Sequence, residues 1–113
     1  MIYRQGDVLI ELVKPTKPTA ELPRDPDGST VLARGEVTGH RHRFNGDSGV
    51  LMFRDDGLAR DLAPELYVGH VTVPDGGAEL RHEEHNTIDL PAGTYRIRRQ
   101  REWTSEQFRV VAD

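Results

Sequence analysis

The sequence contains no cysteine, which removes several classes of site at once. Disulfide bonds, thiolate metal ligands and cysteine nucleophiles are all excluded. No apolar run approaches the ~20 residues that a helix needs to cross a bilayer. The opening residues also lack a basic leader followed by a long apolar stretch. We therefore expect a cytoplasmic protein with no membrane partner.

An excess of basic residues is also missing. The chain has 15 basic and 19 acidic side chains and a net charge of −4. A dedicated duplex-DNA binder usually carries a basic footprint, so this balance disfavours that class. A length of 113 residues supports one hydrophobic core rather than two. We predict a single β-barrel domain over residues 1–113.

Long helices have little room, because 11 glycines and 7 prolines interrupt the chain. Apolar residues alternate with a period of two, for example over residues 8–13, and this pattern predicts short strands. Residues 14–28 contain four prolines and are predicted to form a surface loop. We predict an all-β fold, a small barrel or sandwich of seven to nine short strands.

Three finer assignments follow from the same patterns. Residues 30–44 are predicted as one alternating stretch with bends at its glycines. Residues 50–53 and 58–62 are predicted to form a hairpin around an Asp-Gly turn. Residues 95–103 are predicted as one strand, and the tail over residues 104–113 adds either a final strand or a helical turn.

Four of the five histidines fall in two close pairs. His40 and His42 are two residues apart, so on a strand they share one face. His82 and His85 are three residues apart, and His85 reaches the face of His82 only if the chain bends. The following Asn86 favours such a bend. Neutral imidazole binds divalent transition metals, so the two pairs together predict a metal site.

The ion is Zn, Fe, Ni or Mn, and the sequence does not choose among them. The predicted ligands are His40, His42, His82 and His85, with Glu84 or Asp47 in reserve. Three protein ligands leave a position open for water or substrate, whereas four close a structural site. Two alternatives stay open, namely solvated histidines on a charged surface and a metal-free acid–base pair. His70 lies between apolar residues and is predicted to be structural.

Residues 39–42 (GHRH), followed by Asp47, resemble the first motif of the cupin family, in which two histidines precede an acidic residue. Residues 91–93 (PAG) resemble the proline–glycine turn of the second motif, although Arg96 stands where that motif has a histidine. The wider pattern is similar to small, histidine-rich bacterial β-barrel proteins. The resemblance implies a cupin-like barrel with a histidine site, and it implies no reaction.

Residues 95–103 carry four arginines, and strand alternation places Arg99 and Arg101 on one face. An arginine fork binds carboxylates and phosphates through two parallel hydrogen bonds. Arg99 and Arg101 are therefore predicted to bind an anion. The alternative is a solvated strand whose arginines pair with nearby carboxylates.

These features predict a small metal-binding β-barrel protein. In its catalytic version it is a metal-dependent enzyme, and the ion activates water or holds a small anionic substrate. The competing hypothesis is a non-enzymatic interaction module that binds a protein partner or RNA through residues 95–103. A homodimer is compatible with either hypothesis.

Overall fold

The computed structural model describes the backbone of residues 1–35, 37–104 and 107–110, and the side chains of residues 1–35 and 37–100. Eleven strands and two 3₁₀ turns (Asp56–Leu58 and Pro64–Leu66) make up the regular structure of these residues, which contain no α-helix. The strands are β1 (Ile2–Gln5), β2 (Val8–Val13), β3 (Thr30–Arg34), β4 (Arg41–Phe44), β5 (Leu51–Phe53), β6 (Tyr67–Val73), β7 (Ala78–Leu80), β8 (Ile88–Leu90), β9 (Gly93–Arg99), β10 (Arg101–Thr104) and β11 (Gln107–Val110). The prediction of an all-β fold is confirmed. None of the described helical segments is long and apolar enough to span a membrane.

The largest sheet has five antiparallel strands in the order β1-β2-β9-β6-β5. β1 and β2 form a hairpin in which Gln5 pairs with Val8, so only Gly6 and Asp7 make the turn. Gly6 has a φ of 58°, which the first position of a two-residue hairpin turn requires. This turn places Gln5 and Asp7 at one end of the sheet.

Two further hairpins, β3–β4 and β7–β8, pack against the large sheet. Backbone hydrogen bonds join them where Arg43 donates to the Arg81 carbonyl at 2.9 Å and Arg81 donates back at 2.8 Å. Both layers contribute apolar side chains to one core, and the sheets are open. The buried core residues are Val8, Ile10, Leu32, Phe44, Val50, Met52, Val71, Val73, Leu80, Leu90, Tyr95 and Ile97.

Residues 30–44 form the hairpin β3–β4, and the glycines predicted as bends are where the chain reverses. The Gly35 N–H donates to the His40 carbonyl at 2.8 Å, and the Gly39 N–H donates to the Gly35 carbonyl at 3.0 Å. Gly39 has a φ of 72°, a conformation that a strand residue does not adopt. The chain therefore reverses between the two glycines, and His40 lies just before β4.

The predicted hairpin over residues 50–62 is also wrong. β5 pairs with β6, with Leu51 opposite Thr72, and residues 58–62 form no strand. The Asp55 carboxylate accepts a hydrogen bond from the Gly57 N–H at 3.0 Å and caps a 3₁₀ turn. The Asp-Gly signal therefore marks a side-chain-capped turn rather than a hairpin.

The arginine-rich segment is two strands instead of one. β9 ends at Arg99. The Gln100 N–H donates to the Asp7 carbonyl at 2.8 Å, in register with the Val8–Arg99 pair, but Asp7 already belongs to the turn between β1 and β2. β10 then pairs with β11, which confirms a final strand through Phe108 and Val110. Three other tail positions considered in the sequence, Ser105, Glu106 and Val111, lie outside the described residues.

The proline-rich residues 14–28 form no strand, apart from a bridge between Glu21 and Phe53. Asp25 fastens this loop, because its carboxylate contacts Arg34 at 2.5 Å and Arg41 at 2.8 Å. The hydrogen bonds from Arg34 and then Arg41 lower the pKa of Asp25. The loop is thus tied to the hairpin that carries two of the candidate histidines.

Two neighbouring glycines before β7 provide a test of how tightly the β7–β8 hairpin is constrained. Gly76 and Gly77 both have positive φ, 93° and 79°, but only at Gly77 would an added Cβ approach a backbone oxygen, that of Leu90, at 2.7 Å. We expect Gly76→Ala to cost about 1 kcal/mol of unfolding free energy from backbone strain alone, and Gly77→Ala about 3 kcal/mol. Urea unfolding measures both. Equal losses would contradict the close approach.

Candidate metal centre

Four imidazole rings from two distant segments lie against one another. We call them the histidine group: His40, His42, His82 and His85. His82 is central, with ring centroids 5.6 Å from His40, 4.3 Å from His42 and 4.5 Å from His85. The centroids of His42 and His85 are 5.9 Å apart. The fold therefore brings the two sequence pairs to one place.

The backbone bridge between β4 and β7 creates this meeting point. Arg43 and Arg81 are the bridged residues, and each is next in sequence to a histidine of the group, His42 or His82. Residues 83–85 then bend, so the turn comes slightly earlier than the Asn86 signal indicates. This bend carries His85 back toward the His82 ring.

A buried glutamine fixes the orientation of the His42 ring. Gln5 is 2% exposed, and its Nε2 donates to the carbonyls of Leu80 and Asn86, both at 2.9 Å. Its Oε1 lies 2.9 Å from His42 Nδ1. Because a carboxamide oxygen only accepts, His42 Nδ1 carries a proton. In the neutral ring, the lone pair is then on Nε2.

Asp7 lies on the other side of the His42 ring. His42 Nε2 is 3.7 Å from Asp7 Oδ1, and both side chains are 0% exposed. The second carboxylate oxygen, Oδ2, is 3.9 Å from Arg99 Nε. His42 is thus held between a carboxamide and a buried carboxylate, and Arg99 lies just beyond.

The His40 ring is oriented by a carboxylate, and it is more exposed than His42. Its Nδ1 is 3.0 Å from Glu84 Oε1. The neighbouring Glu83 does not contact His40 in this way. Its carboxylate accepts a hydrogen bond from the Arg41 backbone N–H at 3.0 Å, and this bond lowers the pKa of Glu83. Glu84, a reserve ligand in the sequence analysis, therefore contacts a histidine of the group.

The Nδ1 of His82 accepts hydrogen bonds, whereas the Nδ1 of His42 donates one. Its Nδ1 accepts the backbone N–H groups of Glu84 at 3.0 Å and His85 at 3.3 Å. A nitrogen that accepts two hydrogen bonds carries no proton, so the proton of the neutral ring is on Nε2. His82 would have to give up this arrangement to offer a nitrogen lone pair to a metal.

The side chains do not form a ready metal-binding cage. Among residues 1–35 and 37–100, no group of three or more His, Asp or Glu side chains is arranged to hold a metal ion. Asp47, the other reserve ligand, lines a cavity of about 810 Å³. The other residues that line this cavity are Asn45, Ser48, Gly76, Gly77, Ala78, Glu79, Asp89, Leu90, Pro91 and Ala92.

Two arginines of the predicted anion-binding strand are paired with carboxylates. Arg96 contacts Glu11 at 3.2 Å and Asp61 at 2.7 Å, and Arg98 contacts Glu11 at 2.8 Å. The hydrogen bond from Arg96 lowers the pKa of Asp61. For Arg96 and Arg98, these contacts agree with the alternative to anion binding, in which the arginines pair with nearby carboxylates. Arg99 lies beside Asp7, and the Arg101 side chain is outside the described part of the chain.

His70 is packed away from the histidine group. It is 2% exposed, its ring stacks on Phe53 at 5.6 Å, and Tyr67 Oη lies 2.6 Å from its Nδ1. Burial, followed by the charge of Arg96, lowers the pKa of His70. These contacts agree with a structural role.

Sequence reasoning missed Gln5 and Asp7. Both flank Gly6, and the three residues stand out in the sequence only as a turn signal. Polar residues at a turn are usually solvated, and nothing in the pattern indicates that these two are buried against a histidine.

Comparison with known proteins gives one match. A family model described as a domain of unknown function, DUF8820, matches residues 4–100. No curated protein and no solved structure matches the chain.

The role of Gln5 can be tested by removing its carboxamide. Gln5→Leu removes the partner of the buried Leu80 carbonyl and His42 ring and of the part-buried Asn86 carbonyl, so we expect a loss of about 3 kcal/mol of unfolding free energy. Gln100→Leu is the matched control, because Gln100 accepts a hydrogen bond from Arg4 in an exposed position. It should cost less than about 1 kcal/mol. Imidazole ¹⁵N shifts should also show a change of His42 tautomer in Gln5→Leu only, and an unchanged tautomer would contradict the proposed orientation.

The buried His70 should make stability depend on pH. Its pKa is lowered in the folded protein, so the unfolded chain binds a proton more readily as the pH falls below about 6.5. Stability is therefore retained above that pH and lost below it. The difference in unfolding free energy between wild type and His70→Gln should therefore be smaller at pH 5 than at pH 7.5. Parallel pH profiles for the two proteins would show that His70 does not contribute.

Proposed function

The chain belongs to the DUF8820 family, a domain of unknown function, and we propose that it binds a divalent transition metal ion through the histidine group. The observation that carries the proposal is the fixed tautomer of His42. Its Nδ1 proton is engaged by Gln5, so the ring would bind an ion through Nε2, the nitrogen that faces the Asp7 carboxylate. Histidines that bind metals usually donate their other ring N–H to a carbonyl or carboxylate in this way.

The second support is that His40 has the same kind of partner. Glu84 is placed to accept the Nδ1 proton of His40, which also leaves Nε2 available. Two of the four histidines are therefore oriented through Nδ1 by an oxygen acceptor. Solvated surface histidines have no need of such partners, so this favours the metal site over the surface alternative.

The third support is the spacing of the rings. Imidazoles that share a tetrahedral ion at metal–nitrogen distances of ~2.1 Å have ring centroids ~5 Å apart. The centroids of His42 and His85 are 5.9 Å apart, which is close to the value for shared coordination.

The hydrogen bonds also rank the ligands. His42 and His40 come before His82, because the Nδ1 of His82 already accepts two backbone N–H groups. Three ligands would leave a position for water or a small anion, and Arg99 lies close enough to His42, through Asp7, to attract one. Asp47, which a cupin-like ligand set would use, has no part in the proposed site.

The proposed chemistry is that of a metal ion with an open position. Zn, Fe, Ni or Mn bound there would lower the pKa of bound water or polarise an anionic substrate. The interaction-module hypothesis has less support, because Arg96 and Arg98 are already paired with Glu11.

Metal binding is tested first on the wild-type protein. We expect protein purified without an affinity tag or chelating resin to carry metal by elemental analysis. The metal-free protein should bind one Zn²⁺ by calorimetry, with a rise in melting temperature. The affinity should fall as the pH drops from 7 to 5, because protons compete for the imidazole nitrogens. Absence of binding at pH 7 would overturn the proposal.

The ligand ranking is tested with alanine variants. His42→Ala should weaken Zn²⁺ binding at least 100-fold, and His40→Ala and His85→Ala should each weaken it at least tenfold. His82→Ala should have a smaller effect than His42→Ala or His40→Ala. His70→Gln is the control, and its Zn²⁺ affinity should match that of wild type. If His82→Ala had the largest effect, the ranking would be wrong.

A further inference from the structure

The connection between β5 and β6 is held against the large sheet mainly by polar contacts, and we call it the strap, residues 54–66. The structure describes the whole strap, and Ala59 is the only buried residue in it. So little apolar burial leaves the strap dependent on a few hydrogen bonds and ion pairs. We propose that His70 is a pH-sensitive latch for the strap, which the neutral ring holds closed and the protonated ring releases.

The first anchor of the strap is the hydroxyl group of Tyr67. Its oxygen accepts the backbone N–H of Asp55 at 3.2 Å and lies 2.6 Å from His70 Nδ1. Tyr67 is buried, so its own O–H also needs an acceptor, and His70 Nδ1 is the acceptor that the described residues place within reach. A neutral His70 therefore completes a chain of hydrogen bonds that runs through Tyr67 to the strap.

The second anchor is an ion pair between Asp61 of the strap and Arg96 of β9. The Asp61 carboxylate is 2.7 Å from the Arg96 guanidinium, which also contacts Glu11 at 3.2 Å. Arg96 is the residue that pairs with His70 where β9 lies beside β6. One buried imidazole thus adjoins both points at which the strap is fastened, although these points lie on different strands.

Protonation of His70 would weaken both anchors together. A proton on Nδ1 removes the acceptor of the Tyr67 O–H, and the new positive charge lies beside Arg96. Two carboxylates also face the ring, Glu11 from β2 and Asp55 from the strap, and they favour the protonated form. Burial, followed by the charge of Arg96, outweighs them and lowers the pKa of His70.

The direction of the pH effect follows from this balance. With the strap closed, the pKa of His70 lies below the ~6.5 of a solvated histidine. Opening the strap admits water to the ring and returns its pKa toward that value, so the open form binds a proton more readily. Closure is therefore favoured above about pH 6.5 and is lost progressively as the pH falls below it.

Hydrogen exchange of the native full chain, followed by NMR and corrected for the intrinsic exchange rate at each pH, tests the latch. The Asp55 and Ala59 amides report on the strap, because they donate to Tyr67 Oη and to the Asp56 carbonyl. Their protection should fall about tenfold between pH 7.5 and pH 5, with the midpoint at which the His70 ring itself titrates. The Gly77 amide, which donates to the Pro74 carbonyl in another turn, is the control and should change by less than about twofold.

Two variants separate the latch from a general loss of stability in acid. The side chain in His70→Gln can accept the Tyr67 O–H but does not titrate, so strap protection should be nearly equal at pH 7.5 and pH 5. In Tyr67→Phe the first anchor is missing, so the Asp55 amide should already be poorly protected at pH 7.5. Thermal unfolding shows whether each variant is folded, and the wild-type measurement stands without them. Strap protection that does not follow the His70 titration in wild type, or that falls equally in a folded His70→Gln, would overturn the proposal.

Discussion

One buried carboxamide holds the site together. Gln5 donates to the carbonyls of Leu80 and Asn86 and accepts from His42, so it links the large sheet to both hairpins of the second layer. Buried polar groups are costly unless every donor and acceptor is satisfied, and here each hydrogen-bonding atom of one side chain is used. The layers can therefore pack in only one alignment at this end of the molecule, and that alignment sets the tautomer of His42.

The sequence predicts the fold class and many of its strands, because alternation is a local property. The predicted strand at residues 8–13 is present in the structure as β2. The errors share a cause. The Asp55 cap depends on a side-chain hydrogen bond, and the full reversal before β4 depends on the left-handed conformation of Gly39; period-two patterns carry no information about either. The end of β9 depends on a segment distant in sequence, because its partner β2 begins at Val8 and Asp7 belongs to the β1–β2 turn.

For the candidate site, the two histidine pairs can be recognised in the sequence, but the hydrogen-bond partners that set the tautomer of each ring cannot. Spacing alone treats His42 and His82 as equivalent. Their hydrogen-bond partners give them different tautomers. A carboxamide oxygen faces Nδ1 of His42, whereas two backbone N–H groups face Nδ1 of His82. Such partners come from tertiary contacts between residues far apart in the chain, as Gln5 and Asp7 illustrate. A pattern can propose ligands, whereas their protonation is decided by the fold.

The backbone bridge between Arg43 and Arg81 also has a consequence for the order of folding. The segment between these residues leaves the second layer, contributes β5 and β6 to the large sheet, and returns. Closing so long a loop costs chain entropy before its contacts repay it, and such non-local pairing slows folding. The histidines beside the bridge therefore come together only through a contact between distant parts of the chain. Until then, the two halves of the site belong to separate parts of the chain.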